Sequence, residues 1–171
     1  STFTVNDLEP PTVLTVSKQT RTTDNGVNYY TATSPADNNW NPSVSDNCAV
    51  DKFTYSIDGG TEVGTNTTTS IIGEKFTVGT HTVTWTATDV HGNTNTGNYQ
   101  VVVEDHEIPT VVCNPQTIQL DATGNYSLTN ADIAAIGLGS TDPNGPITLS
   151  VSPNTFDCSN IGNNTVTLTV I

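Results

Sequence analysis

The sequence predicts an all-β chain of tandem β-sandwiches, the second lacking its final hairpin, and three observations carry that prediction. Helical periodicity is almost absent. Short β-branched segments are separated by Gly, Pro, Asn and Asp, and two stretches recur later in the chain in the same order. The 171 residues suffice for one medium domain or two small sandwiches, so length alone does not choose between them.

Taken in chain order, residues 12–18, 29–34, 52–57 and 67–72 read as strands, rich in β-branched or aromatic residues and bounded by turn residues. The clearest strand follows at residues 81–89. There Thr82, Thr84, Thr86 and Thr88 alternate with Val83, Trp85 and Ala87, the period of two of a half-buried antiparallel strand. This register predicts that Val83, Trp85 and Ala87 are buried and the Thr row is exposed. Asp89-Val90-His91-Gly92-Asn93 supplies turn chemistry, and residues 98–104 form the returning strand. Residues 110–120 and 147–151 complete the strands. One short helical segment covers residues 130–136, with Asn130 placed as its N-cap.

Composition removes several function classes. Only 33% of residues are hydrophobic, yet the polar content is largely Thr interleaved with Val and Ile, which argues for strands over disorder. Lys and Arg number 4 against 17 Asp and Glu, a formal net charge of -13. No basic patch exists to neutralise nucleic-acid phosphates or to dock on anionic lipid. Divalent cations are the natural partners of such a surface. No apolar run approaches the roughly 20 residues of a membrane helix, so membrane insertion is not expected. The chain opens on Ser1 without an initiating Met or a signal-peptide pattern, and its N-terminus is read as processed.

The internal repeat divides the chain. Residues 3–13 match residues 101–111, which aligns Asp7 with Asp105, Glu9 with Glu107 and Pro11 with Pro109. Residues 78–86 match residues 161–169, which aligns Trp85 with Leu168. Residues 1–6 are therefore assigned to the closing strand of a preceding repeat, 7–104 to a first repeat and 105–171 to a second, truncated one. The second repeat is shorter through its middle and stops before a counterpart of the last hairpin. Its open edge is expected to be filled by another polypeptide or by further residues of the parent.

Asp7-x-Glu9-x-Pro11, Ser45-Asp46-Asn47-Cys48, Phe76-x-Val78-Gly79-Thr80-x-Thr82-Val83 and Thr88-Asp89-x-x-Gly92-Asn93 together resemble the hyalin-repeat (HYR) domain. The second half resembles repeats of very large cell-surface proteins typical of gliding and marine Bacteroidetes. The resemblance implies an immunoglobulin-like fold, a secreted or surface location, and a role in adhesion or in spacing other domains. Repeats of this family often pair a Cys near the first strand with one in the last, and the Cys of Asp-Asn-Cys with another. Here the first repeat has no Cys near Thr15 or at Gly97, and Asp142-Pro143-Asn144-Gly145 stands where the second Asp-Asn-Cys is expected. That leaves two alternatives for Cys48, Cys113 and Cys158: three buried free thiols, or a Cys113–Cys158 bridge beside a free Cys48.

The implied fold brings the first strand to the end that carries the B–C and F–G loops. It thereby gathers Asp7, Glu9, Asp46, Asn47, Asp89 and Asn93 at the entry of the first repeat. Ca²⁺ takes six to eight oxygens, and carboxylates and amides from three distant segments suit it. Without a cation, three such carboxylates are expected to raise one another's pKa. The bland alternative is turn chemistry at each motif separately. The second boundary would use Asp105, Glu107 and Asp142.

Catalysis finds no support: His81, His91 and His106 are scattered, and no nucleophile motif or phosphate loop is present. Tyr29, Tyr30 and Trp40 lie in or near a polar loop, either as a sugar-stacking platform or as cover for a sandwich edge. The expected function is a non-catalytic extracellular repeat of a surface adhesin, a calcium-stiffened stalk or an adhesive surface. Its partners would be neighbouring repeats and extracellular polysaccharide or other surface ligands. The alternative is an accessory carbohydrate-binding module of a secreted hydrolase.

Overall fold

In a computed structural model describing residues 1–171, regular structure starts with β1 (Thr12–Val13), β2 (Gln19–Thr22) and β3 (Tyr29–Thr31). It continues through β4 (Val44–Ser45), β5 (Val50–Ile57), β6 (Val63–Asn66), β7 (Lys75–Thr77), β8 (Gly79–Asp89) and β9 (Thr94–Glu104). These strands belong to one unit, Ser1–His106, and the chain from Glu107 to Ile171 forms a second. The fold is all-β and immunoglobulin-like.

In the first unit, β2, β9, β8, β5 and β6 form a five-stranded sheet in that order. β2 runs parallel to β9, and the other pairs are antiparallel. The ladders β3–β7 and β1–β4 supply the rest of the sandwich. The alternation read in β8 holds: Val83, Trp85 and Ala87 are each 0% exposed, and the register is as predicted. The Thr row is less exposed than expected. Thr82 is exposed, but Thr84, Thr86 and Thr88 are half-buried, because β8 is a central strand shielded by neighbours on both sides. Trp85 stacks on Phe53 with ring centroids 4.5 Å apart and lies 5.0 Å from Tyr55. Tyr99, Val101 and Val103 of β9 join this core, as do Ala32, Trp40, Ile71 and Phe76 of the facing layer.

One buried charge is locked into that layer. Asp37 is fully buried and accepts hydrogen bonds from Arg21 Nη2 at 2.6 Å, Tyr30 Oη at 2.6 Å and the Thr33 N–H at 2.8 Å. The Arg21 guanidinium sits 5.1 Å above the Trp40 ring. Burial alone would raise the Asp37 pKa, but the donors from Tyr30, Thr33 and Arg21 outweigh it and hold the carboxyl below its usual value. The same burial, with the carboxylate beside it, pushes the Tyr30 phenol up.

The structure departs from the sequence reading in four places. Residues 12–18 are not one strand: β1 is two residues long, and the chain then crosses to pair as β2 with β9. Residues 67–72 are a turn, and the strand is β6 just before them. Asn66 Oδ1 accepts from the Thr68 N–H at 3.0 Å and its hydroxyl at 2.9 Å, a local alternative to a ladder. The returning strand is longer than residues 98–104 because the hairpin zips from Thr94. Residues 110–120 form only an isolated bridge, Thr110 to Thr141. The Val112 N–H goes instead to Ser140 Oγ at 3.0 Å, and the Asn114 N–H to the Ile136 carbonyl at 2.8 Å.

The second unit comprises β10 (Asn125–Ser127), α1 (Asn130–Ile136), β11 (Leu149–Ser152), β12 (Thr155–Asp157) and β13 (Thr167–Val170). β10 pairs with β12 and β11 with β13. The helix falls where predicted, but Thr129 caps it. Thr129 and Asp132 form a reciprocal capping box, which places Asn130 inside the first turn. The aligned residues Trp85 and Leu168 hold like positions: Trp85 faces Tyr55 across its ladder, and Leu168 faces Val151. All three cysteines are free, and each is exposed rather than buried. No helix is long and apolar enough to cross a membrane.

Candidate metal centre at the entry of the first unit

Three segments meet ahead of β1. Pairing of Thr12 with Ser45, and of Val50 with Asp89, sets the Asp7 linker, the β4–β5 loop and the β8–β9 turn side by side. Asn93 Nδ2 donates to the Asp7 carbonyl at 3.3 Å and Asn95 Nδ2 to the Pro11 carbonyl at 2.8 Å, tying the linker down.

One carboxylate oxygen each from Asp7, Asp46 and Asp89 lies within 4.8 Å of the others. Two oxygens each about 2.4 Å from one Ca²⁺ are at most ~4.8 Å apart, so this spacing fits a single ion. The Asp89 residue is 2% exposed and the Asp7 side chain 7%. Asp7 Oδ1 accepts from the Glu9 N–H and from Asn47 Nδ2, both at 3.2 Å. Asp46 Oδ2 accepts from the N–H groups of Cys48 at 2.8 Å and Ala49 at 3.1 Å. Of the remaining oxygens, both buried, Asp7 Oδ2 faces His91 Nδ1 at 3.3 Å, and Asp46 Oδ1 accepts no hydrogen bond. A buried acceptor left without a donor costs about 1–3 kcal/mol, and a cation at Asp46 Oδ1 would satisfy it.

Asp89 is engaged more fully. Its Oδ1 accepts from the His91 and Asn93 N–H groups at 2.8 Å each, and its Oδ2 from Asn93 Nδ2 at 2.7 Å. Asp7 does push Asp89 upward, as expected, but hydrogen bonds outweigh that push and both carboxyls lie below their usual pKa. Asn47 and the Glu9 N–H hold Asp7 below its usual pKa. For Asp89, burial pushes upward but is outweighed by Asn93 and the His91 N–H. The amides of Asn47 and Asn93 present N–H groups to the carboxylates, which stabilises their negative charge. Glu9 contributes its backbone alone, and its side chain is exposed.

The second boundary is different. Asp105 falls in the first unit, and Glu107 and Asp142 in the second. Asn144 links the latter two, with Nδ2 3.1 Å from Glu107 Oε2 and its N–H 2.7 Å from Asp142 Oδ1. No comparable triad of ligand atoms forms in the second unit. That unit does supply an internal control. Asp121-Ala122-Thr123-Gly124-Asn125 repeats the pattern of Asp89-Val90-His91-Gly92-Asn93, and the Asp121 N–H reaches the Asn125 carbonyl at 2.9 Å as Asp89 reaches Asn93 at 3.0 Å. Gly92 and Gly124 both take positive φ, at 92° and 78°. The turn alone is thus structural, and the convergence of Asp7 and Asp46 sets the first site apart.

Sequence reasoning passed over Cys48 and His91. His91 Nδ1 lies 3.3 Å from Asp7 Oδ2, and Asp7, Cys48 and His91 form a second group with ligand atoms within 4.8 Å. Both residues sit inside motifs already singled out, but the cysteines are too far apart in sequence to read as a metal cluster, and His81 and His91 flank a strand and its turn, where exposed polar residues are expected over a Zn site. The aromatic platform is not there: Trp40 is 0% exposed, and its carbonyl accepts from Tyr99 Oη at 2.8 Å. Tyr30 is held by Asp37, and Tyr29 Oη accepts from Lys75 Nζ at 3.0 Å.

Compared with known families, residues 6–103 match the HYR domain. No curated protein matches the chain closely enough to count as a relative. HYR domains are non-catalytic repeats found in extracellular and cell-surface proteins. The match spans the Asp7 linker, the Asp46 loop and the Asp89 turn, and covers more than half of the sequence. This chain belongs to the HYR domain family.

Proposed function

We propose that the chain is a repeat module of a bacterial surface adhesin, of the kind used by gliding cells, and that Ca²⁺ bound by Asp7, Asp46 and Asp89 stiffens the entry of its first repeat. The observation that carries this reading is the convergence of the Asp7, Asp46 and Asp89 carboxylates within ion-sharing distance, with the buried Asp46 Oδ1 lacking a donor. The ion takes over the charge compensation now supplied by Asn47 and Asn93, and it ties the linker to two loops. Pro10 and Pro11 already restrict that linker, so little further entropy is lost on ordering it. Glu107 and Asp142, linked by Asn144, are the counterparts within the second unit. Neighbouring repeats are the primary partners, and the module projects a surface that meets extracellular polysaccharide or another surface ligand. With Trp40 in the core, the carbohydrate-module alternative loses the ring on which it chiefly rested.

Extracellular modules bind Ca²⁺ with Kd near 10⁻⁴–10⁻³ M, which suits seawater and similar media. A hundredfold excess over Kd stabilises the folded state by about 2.7 kcal/mol. For a unit of this size that raises Tm by on the order of 10 °C. Thermal unfolding of the chain with Ca²⁺ and with chelator measures it. Asp7→Asn keeps the hydrogen-bonding shape but removes the charge, and is expected to abolish the shift. Asp121→Ala, in the matching turn without converging acids, is expected to retain it. A wild-type midpoint indifferent to chelator would overturn the reading.

A further inference from the structure

We propose that the same entry carries a second site of different chemistry: the Cys48 thiolate, His91 Nδ1 and Asp7 Oδ2 form a three-ligand site for Zn²⁺ or a similar transition-metal dication. The three ligand atoms lie within 4.8 Å of one another. Ligands about 2.1 Å from a tetrahedral Zn²⁺ are ~3.4 Å apart, and His91 Nδ1 stands 3.3 Å from Asp7 Oδ2. The Asp7 side chain is 7% exposed, its Oδ2 faces His91 Nδ1 in an ion pair, and the Cys48 thiol hydrogen-bonds the same carboxylate, so the three ligand groups already converge on one point.

The backbone holds the other two ligands in place. The Cys48 N–H donates to Asp46 Oδ2 at 2.8 Å, and the His91 N–H to Asp89 Oδ1 at 2.8 Å. The left-handed Gly92 closes the turn that presents His91. Sulfur, nitrogen and oxygen together do not suit Ca²⁺, which takes oxygen, but they are the ligand set of Zn²⁺. Binding releases the thiol proton of Cys48 to solvent and uses the neutral imidazole through its Nδ1 lone pair. Three protein ligands leave a fourth position for water or an outside donor, and the exposure of Cys48 and His91 leaves that side open.

This site shares Asp7 with the proposed Ca²⁺ site but takes no ligand from Asp46 or Asp89, which only hold the Cys48 and His91 backbone. The two ions exclude each other. Without a metal, the same residues are an Asp–His ion pair beside a thiol, and the measurement must separate those cases.

The test is titration of the full, reduced chain with Co²⁺ followed by absorption, and with Zn²⁺ followed by calorimetry. One Co²⁺ per chain is expected to bind with a thiolate-to-metal charge-transfer band and intense tetrahedral d–d bands. Cys48→Ser should abolish that band. Cys48→Ser and His91→Ala should each weaken Zn²⁺ by more than the roughly 10–100-fold lost with a mere outer-shell partner. Cys113→Ser and Cys158→Ser should change neither signal. Cys48→Ser should remove the Co²⁺ band while leaving the Ca²⁺-dependent rise in Tm intact, because Cys48 is no part of the Asp7, Asp46 and Asp89 group, which distinguishes failure of one site from failure of the other. The proposal is overturned if Co²⁺ shows no charge-transfer band, or if the band survives Cys48→Ser and disappears with Cys113→Ser or Cys158→Ser. Cys48 and His91 are both exposed, so these variants are expected to melt as wild type does.

Discussion

Trp85→Ala is expected to destabilise the first unit by about 4–5 kcal/mol, the upper end of the range for a buried aromatic truncated to Ala. The ring is fully buried and held between Phe53 and Tyr55, at centroid distances of 4.5 and 5.0 Å. Those rings are fixed by their own ladder positions opposite Ala87 and Trp85, so they cannot close over the cavity. Total stability of such a domain is about 5–15 kcal/mol, and this single change removes a large share of it. Urea unfolding followed by the fluorescence of Trp40, the other tryptophan, reads out the first unit selectively. Trp85→Phe keeps an aromatic ring in place and should cost less than half as much. A loss under about 1 kcal/mol in the Ala variant would mean that the ring is not core.

The second large effect lies at Asp37. Removing one partner of a buried ion pair costs about 3–5 kcal/mol, because the other charge is left uncompensated. Here the Arg21 side chain keeps 29% of its exposure and can turn toward water, which places Asp37→Ala near the lower end, about 3 kcal/mol. Tyr30 Oη and the Thr33 N–H lose their acceptor as well. The folded-state pKa of Asp37 is lowered, so its contribution is complete above the unfolded value of about 3.9 and is lost as pH falls through the folded value. The stability gap between wild type and Asp37→Ala should therefore be flat from neutral pH down to about 4 and shrink below it. A gap that widened on acidification would contradict the assigned direction.

Much of this was legible in the sequence because the informative side chains obey a period. In β8 the alternation fixed which residues enter the core. Three kinds of feature escaped. A strand that changes sheets, as the chain does between β1 and β2, has no signature in a hydrophobic pattern. A turn stabilised by one side chain, such as Asn66 beneath Thr68, overrides the strand preference of the Thr residues that follow it. Valines after Thr110 look like a strand until Ser140 and the end of α1 take their backbone groups. At the candidate site the acids were found because they sit in turn motifs of known shape. Cys48 and His91 were not, because their significance lies in proximity to Asp7 across the fold. Trp40 was misjudged for the opposite reason: its polar neighbours in sequence suggest a surface, yet Arg21, Tyr30 and Phe76 enclose its ring.

The parallel pairing of β2 with β9 has a mechanical consequence. The chain enters the first unit through β1, crosses at once to β2 and leaves through β9, and β2 and β9 run side by side in the same direction, from Gln19 beside Val101 to Thr22 beside Glu104. One further bond, from the Thr23 N–H to the Glu104 carbonyl at 3.1 Å, extends the row. A pull on the two ends of the unit drags β2 backward and β9 forward along their common axis. The hydrogen bonds between them then carry the load together in shear, where a hairpin pulled from its open end would unzip one bond at a time. Under tension such a unit yields at a rate set by its unfolding barrier rather than by its equilibrium stability.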